Sequence, residues 1–185
     1  MVKKSNKSLC VIGAGNWGKN HIRTLHEIGA LGGVVDIDKS RLLAVSAQYG
    51  GPSVYQSVED ALEESFDGYI VSTPAATHFD ITKRVIESRH HVLVEKPIAL
   101  NLKDAEILRT LADENGVNLM AGHLLLFHPA IATVKKLIVD GAIGDLQYLY
   151  SNRLNLGVVR TEENILWSFA PHDISIFQHL INDFP

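Results

Sequence analysis

The first residues able to do chemistry are Gly13-Ala14-Gly15-Asn16-Trp17-Gly18, a G-x-G-x-x-G run. By itself that spacing means only a tight turn from strand to helix. Here the apolar run Leu9–Ile12 precedes it, a helical segment follows, and Asp36 closes the next apolar run. Glycines so placed let a backbone approach a pyrophosphate, the helix N-terminus stabilises its charge, and the acid accepts hydrogen bonds from ribose hydroxyls. A dinucleotide site on Gly13, Gly15, Asn16, Trp17, Gly18 and Asp36 is therefore expected. Asp36 would repel a 2′-phosphate, with Asp38 adding to the repulsion and Lys39 and Arg41 opposing it, so NAD is expected in preference to NADP.

Four further clusters follow. Ser72-Thr73-Pro74 ends an apolar run at what would be the carboxyl edge of a sheet, where ligands of open α/β sheets bind. Thr73 reads most simply as a helix cap, and His78 either reaches a cofactor or lies on the surface. Glu95-Lys96-Pro97 ends the next run. Elsewhere its lysine would read as an exposed loop residue, but held over a nicotinamide it can exchange a proton with a substrate hydroxyl. The bond before Pro97 is a candidate for the cis form. His172-Asp173 precedes a helical stretch, and a histidine suits passing an alcohol proton near neutral pH. His123 and His128 flank Leu124–Phe127, but no further ligand at regular spacing completes a metal set, so no metal is expected.

The elements that must position these residues alternate in type. Strands are expected at Leu9–Ile12, Gly33–Asp36, Gly68–Ser72, His91–Glu95 and Val117–Ala121, with a weaker one at Ser53–Tyr55. Their near-continuous apolar character is that of strands buried on both faces of a parallel sheet. Asn101 is a good N-cap and Asn115-Gly116 a good stop for the helix between them. Thr73-Pro74 should open another helix, with proline in its first turn. The result is a doubly wound α/β Rossmann domain over residues 1–123. Residues 124–185 read as the start of an α+β domain: a helix through Ala130, Val134 and Leu137, a long strand at Asp145–Leu156 with one face buried, and a last helix from near Pro171 to about Asn182. A lone strand of that length needs neighbours, so a truncated chain is expected in preference to a sheet completed by another copy.

Composition fits this picture. The 185 residues carry 17 Lys+Arg against 21 Asp+Glu for a net charge of −4, and are 46% hydrophobic. Such a chain is neither disordered nor low-complexity. Acidic and without a basic block, it is a poor binder of nucleic acid, and its apolar runs are far short of the ~20 residues of a membrane span. Cys10 is the only cysteine, so no internal disulfide forms. With no signal-peptide pattern, a cytoplasmic protein is expected.

Taken in order, Gly13–Gly18, Ser72-Thr73-Pro74 with His78, Glu95-Lys96-Pro97, the stretch Gly122–Ala130 and Ala170-Pro171-His172-Asp173-Ile174-Ser175-Ile176 closely resemble the glucose–fructose oxidoreductase/inositol dehydrogenase (Gfo/Idh/MocA) family. The resemblance covers essentially the whole chain. It implies a Rossmann domain for NAD(P) and a second domain, on a mostly antiparallel sheet, that covers a sugar site and mediates homo-oligomers. It implies that Lys96 and His172 are the acid/base pair and that Lys96-Pro97 is cis. Many members carry an aspartate four residues before the histidine, where this chain has Ser168. The stretches Asn152–Asn164 and Leu166–Asp173 look most like the nucleotide-sugar branch, the UDP-N-acetylglucosamine-type 3-dehydrogenases. Arg153, Asn155 and Arg160 would then meet phosphate or sugar hydroxyls, unless they simply face solvent; His123 is counted with them as a candidate substrate residue. The rival readings are a polyol or free-sugar dehydrogenase and a non-catalytic NAD-binding module.

Overall fold

The computed structural model describes residues 5–154 and 165–183. The chain divides into two compact units, Met1–Gly122 and His123–Pro185.

The first unit is a six-stranded sheet of β1 (Leu9–Ile12), β2 (Leu31–Val35), β3 (Ser53–Tyr55), β4 (Gly68–Val71), β5 (Val92–Val94) and β6 (Leu119–Ala121). The strand order is β3-β2-β1-β4-β5-β6, and every neighbouring pair is parallel. Helices α1 (Gly18–Glu27), α2 (Lys39–Tyr49), α3 (Val58–Leu62), α4 (His78–Glu87) and α5 (Leu102–Asn115) connect the strands. Because side chains alternate along a strand, β1 feeds two cores. Cys10 and Ile12 join Tyr69, Val85 and Leu108 on one face. Val11 joins Ile22, Val34 and Leu42 on the other. Sheets sandwiched in this way need apolar residues at every strand position, which is why the strands were legible as runs. They begin or end up to two residues away from the expected limits, since only the paired backbone counts as strand.

Helix α5 forms as its caps require: the Asn101 side chain accepts from the Asp104 N–H, and Gly116 closes the helix in the left-handed region at φ 67°. Helix α4 does not. Pro74 is extended (φ −57°, ψ 142°) and leads into a single 3-10 turn, Ala75–Thr77, so the α-helix starts at His78 instead of at Thr73-Pro74. The Pro74 carbonyl is taken by the Thr77 N–H at 2.9 Å, with the Thr77 hydroxyl also 2.8 Å away. That tight turn is used up before the helix begins.

The second unit holds α6 (Pro129–Val139) and α7 (Ile165–Ile181). The Lys135 ammonium donates to the Leu180 carbonyl at 3.0 Å. Helix α7 begins well before Pro171, which lies inside it. Proline favours a first turn, but here the helix runs through it at the loss of one backbone bond. The expected strand at Asp145–Leu156 is not a strand over its described residues, to Leu154. Alternation survives, since Tyr148 and Tyr150 stack with centroids 6.2 Å apart, yet both are exposed. A strand exists only against a partner backbone, and among the described residues none pairs with this segment.

Candidate active site

The sheet gathers most of the candidates at one edge. The turn Gly13–Trp17 follows β1, Asp36 follows β2, Ser72 and Thr73 follow β4, and Glu95-Lys96 follows β5. These are the carboxyl ends of parallel strands, around the β1/β4 junction where the order of connections reverses, the place at which open α/β sheets hold ligands.

The three glycines answer to different constraints. Gly13 has φ +100°, and a Cβ there would lie 2.8 Å from the Ser72 carbonyl oxygen. At Gly18 a Cβ would lie 1.8 Å from the Gly13 carbonyl oxygen. The fold itself needs glycine at both. At Gly15 the nearest neighbour would be the Arg41 guanidinium at 4.0 Å, so the space above this residue is open. Helix α1 begins at Gly18 with no side-chain cap and no acid in its first turn. Open backbone beside an uncapped helix N-terminus fits a pyrophosphate, and the residues present therefore fit the dinucleotide.

Asp36 is buried and braces this turn. One carboxylate oxygen accepts from the Ala14 N–H at 2.7 Å and the other from the Asp38 N–H at 2.8 Å. Arg41 is paired with both acids, 3.5 Å from Asp36 and 3.3 Å from Asp38. Asn16 and Trp17 are exposed on the turn.

The Ser72 hydroxyl lies 2.9 Å from the Gly13 carbonyl, to which it donates. Thr73 does not cap α4; its hydroxyl lies 2.8 Å from that of Thr77. His78 is buried rather than a surface histidine. Nδ1 lies 2.7 Å from the Pro97 carbonyl and Nε2 2.8 Å from the Thr73 carbonyl. Both partners are carbonyl oxygens, which only accept, so each bond needs a hydrogen on the ring nitrogen that makes it. His78 thus ties together the turns after β4 and β5.

Lys96 is half-buried, and its bond to Pro97 is cis. Before it, the buried Glu95 accepts from the Trp17 indole N–H at 2.5 Å and lies 2.7 Å from His21 Nε2. Burial pushes the Glu95 carboxyl up, but the bonds from His21, Trp17 and the Lys96 N–H outweigh it and hold it below its ordinary value. His21 escaped the sequence reading. Its one signal was its place a helical turn beyond Trp17, and its partner is remote in sequence. Cys10 is buried, and burial pushes its thiol up to about 12, which leaves it inert.

The remaining candidates belong to the second unit. His172 lies half-buried in the middle of α7, and its carbonyl accepts from the Ser175 hydroxyl at 2.8 Å. Arg153 grips Asp173 through Nε at 2.7 Å and Nη2 at 3.2 Å. The Arg153 hydrogen bond lowers the Asp173 carboxyl pKa, against its desolvation. Arg153 is thus occupied by an acid beside His172. His123 is half-buried, and His128 caps α6, its Nδ1 accepting from the Ala130 N–H. Asn155 and Arg160 lie outside the described residues, as does the Ser168 side chain.

Residues 7–123 match the model of the Gfo/Idh/MocA family, described as "Oxidoreductase family, NAD-binding Rossmann fold". Among curated relatives, a UDP-N-acetylglucosamine 3-dehydrogenase of Acidithiobacillus ferrooxidans is 33% identical over 90% of this chain and 51% of its own length. The myo-inositol dehydrogenase Hyg17 of Streptomyces leeuwenhoekii is 28% identical over 77% of this chain and 44% of its own. Among solved structures, the WlbA dehydrogenase of Bordetella pertussis in complex with NADH and UDP-GlcNAcA superposes with TM-score 0.68 and 28% identity, covering 74% of this chain and 44% of that one. The chain spans about half the length of the curated relatives it matches.

Proposed function

The chain belongs to the Gfo/Idh/MocA family of NAD-binding oxidoreductases, and we propose from that premise that it carries the cofactor site and proton-transfer lysine of an NAD-dependent sugar dehydrogenase. The reaction proposed is oxidation of a secondary hydroxyl, on a nucleotide-activated sugar. One observation carries the reading: the Trp17–Glu95 bond at 2.5 Å joins the dinucleotide turn to the residue immediately before Lys96.

In this reading Gly13, Gly15, Asn16, Trp17, Gly18 and Asp36 hold the dinucleotide, with Thr73, Pro74 and Lys96 toward its nicotinamide end and Glu95 bracing the turn before Lys96. Ser72 and His78 keep that end in shape. When bound, the dinucleotide supplies the acceptor for the hydride leaving the carbinol carbon. Lys96, as the neutral amine, takes the hydroxyl proton, and His172 assists its passage to solvent. The pairing of Arg41 with Asp36 and Asp38 leaves it poorly disposed toward a 2′-phosphate, which supports NAD over NADP. The similarity to UDP-N-acetylglucosamine 3-dehydrogenase supports a nucleotide sugar. The inositol dehydrogenase relative supports the alternative, a free polyol. A homo-oligomer completes the proposal.

Titration calorimetry tests the cofactor half: NAD should bind, NADP more weakly, and Asp36→Ala should erase the difference. Folded chain that binds neither would refute the reading. On the full-length protein, Lys96→Met should abolish turnover of nucleotide sugars; turnover of inositol alone would select the polyol alternative.

A further inference from the structure

Glu95 stands among the cofactor-binding candidates, yet its carboxylate is turned toward the protein. It is 8% exposed. Oε1 takes the Trp17 indole N–H at 2.5 Å and faces His21 Nε2 at 2.7 Å. Oε2 accepts the backbone N–H of Lys96 at 3.3 Å. A Cβ on Gly122 would come within 3.0 Å of Oε2, so the residue that follows β6 lies close against the remaining side. Three protein groups thus occupy a carboxylate that has about four acceptor positions.

These groups come from two places that must act together. Trp17 ends the glycine-rich turn and is 47% exposed, and His21 sits in the first turns of α1. Lys96 is held by its own backbone N–H. A buried carboxylate is costly to desolvate, and an apolar side chain would pack there more cheaply, so stability alone is a weak reason for this arrangement. We propose that Glu95, with His21, is a positioning latch: it transmits occupancy of the glycine-rich turn, through the Trp17 indole, to the backbone of Lys96. Dinucleotide entering beside Trp17 moves the indole, the carboxylate follows, and the Lys96 turn is set for proton transfer. The latch rests on the reading that a dinucleotide occupies this turn and that Lys96 is the proton-transfer lysine.

The test follows Lys96 directly. Lysines are reductively methylated with carbon-13, and the Lys96 resonance is assigned by its absence in Lys96→Arg. NAD is then added, with affinity measured separately by calorimetry. The parent should show an NAD-induced movement of the Lys96 resonance. Glu95→Ala and His21→Phe should lose that movement while binding NAD with affinity close to the parent's. His21→Gln, which keeps an N–H donor, should restore it. A generally weakened fold would not be rescued in that way, and His21→Phe stands in should Glu95→Ala fail to fold. Full movement in folded His21→Phe or Glu95→Ala overturns the latch, as does loss of NAD binding in folded Glu95→Ala, which would make Glu95 a ligand. A parent that binds NAD without moving Lys96 overturns the latch and leaves the cofactor reading standing. A parent that does not bind NAD removes both.

Discussion

Gly15 and Gly18 lie three residues apart in one turn, and their substitution should have opposite consequences. A Cβ at Gly18 meets a backbone oxygen at 1.8 Å, which no side-chain rotation relieves. Gly18→Ala should therefore destabilise the first unit by about 3 kcal/mol or more, at or beyond the top of the usual cost of overpacking. A Cβ at Gly15 meets nothing closer than 4.0 Å, so Gly15→Ala should change stability by only about 0.5 kcal/mol while NAD affinity collapses. Denaturant melts with parallel calorimetry separate the two; retained NAD binding in Gly15→Ala would contradict the role given to its open face. Both glycines were legible from spacing, but which one serves the fold and which the ligand was not. That distinction depends on how the turn closes: the Gly13 carbonyl lies against Gly18, as does the Ser72 hydroxyl that the pairing of β1 with β4 brings near. The same holds for His21, whose role exists only because Glu95 arrives from the end of β5.

Among elements, those governed by local chemistry were read most closely. Helix α5 carries its own boundaries in Asn101, Asp104 and Gly116, and it forms between them. Asn101→Ala should cost about 1 kcal/mol, the usual value of an N-cap side chain, and thermal unfolding would show it; an unchanged melt would mean the helix is held by packing alone. Helices α4 and α7 departed from expectation at Pro74 and Pro171. Proline permits a helix start without compelling one. In α4 the Thr77–Pro74 turn intervenes, and in α7 the helix runs through Pro171. The segment after Gly144 kept its alternation but has no strand partner among the described residues, because pairing is decided by what lies alongside.

At the scale of the whole molecule, stability should be lost in acid. Glu95, Asp38, Asp173 and Asp67, which accepts from the Lys7 ammonium, all have carboxyls held below their ordinary values. A group lowered in the folded state contributes stability above its unfolded pKa and loses it as pH falls through the folded one. For Glu95 the loss begins near the ordinary value of 4.5 and continues below it. Denaturant melts from pH 7 downward should fall more shallowly in Glu95→Gln than in the parent below that pH. Parallel curves would show that the carboxylate's bonds are no stronger in the folded chain.

The alternation of strands and helices, the glycine turn, the Asp36 and Lys96 positions and the family were all legible in the amino-acid order, because each is written in residues adjacent along the chain or repeated at a regular period. Tertiary structure alone decided that Asp36 braces the Ala14 N–H and that His78 spans the carbonyls of Thr73 and Pro97. It alone decided that Glu95 binds Trp17 and His21, and that Arg153 holds Asp173. The physical reason is common to the first three, whereas the Arg153–Asp173 pair is solvent-exposed and held by opposite charge. A buried polar group must find partners, and which partners it finds depends on the ends of strands that only sheet order brings together, or on chain segments that only folding makes neighbours.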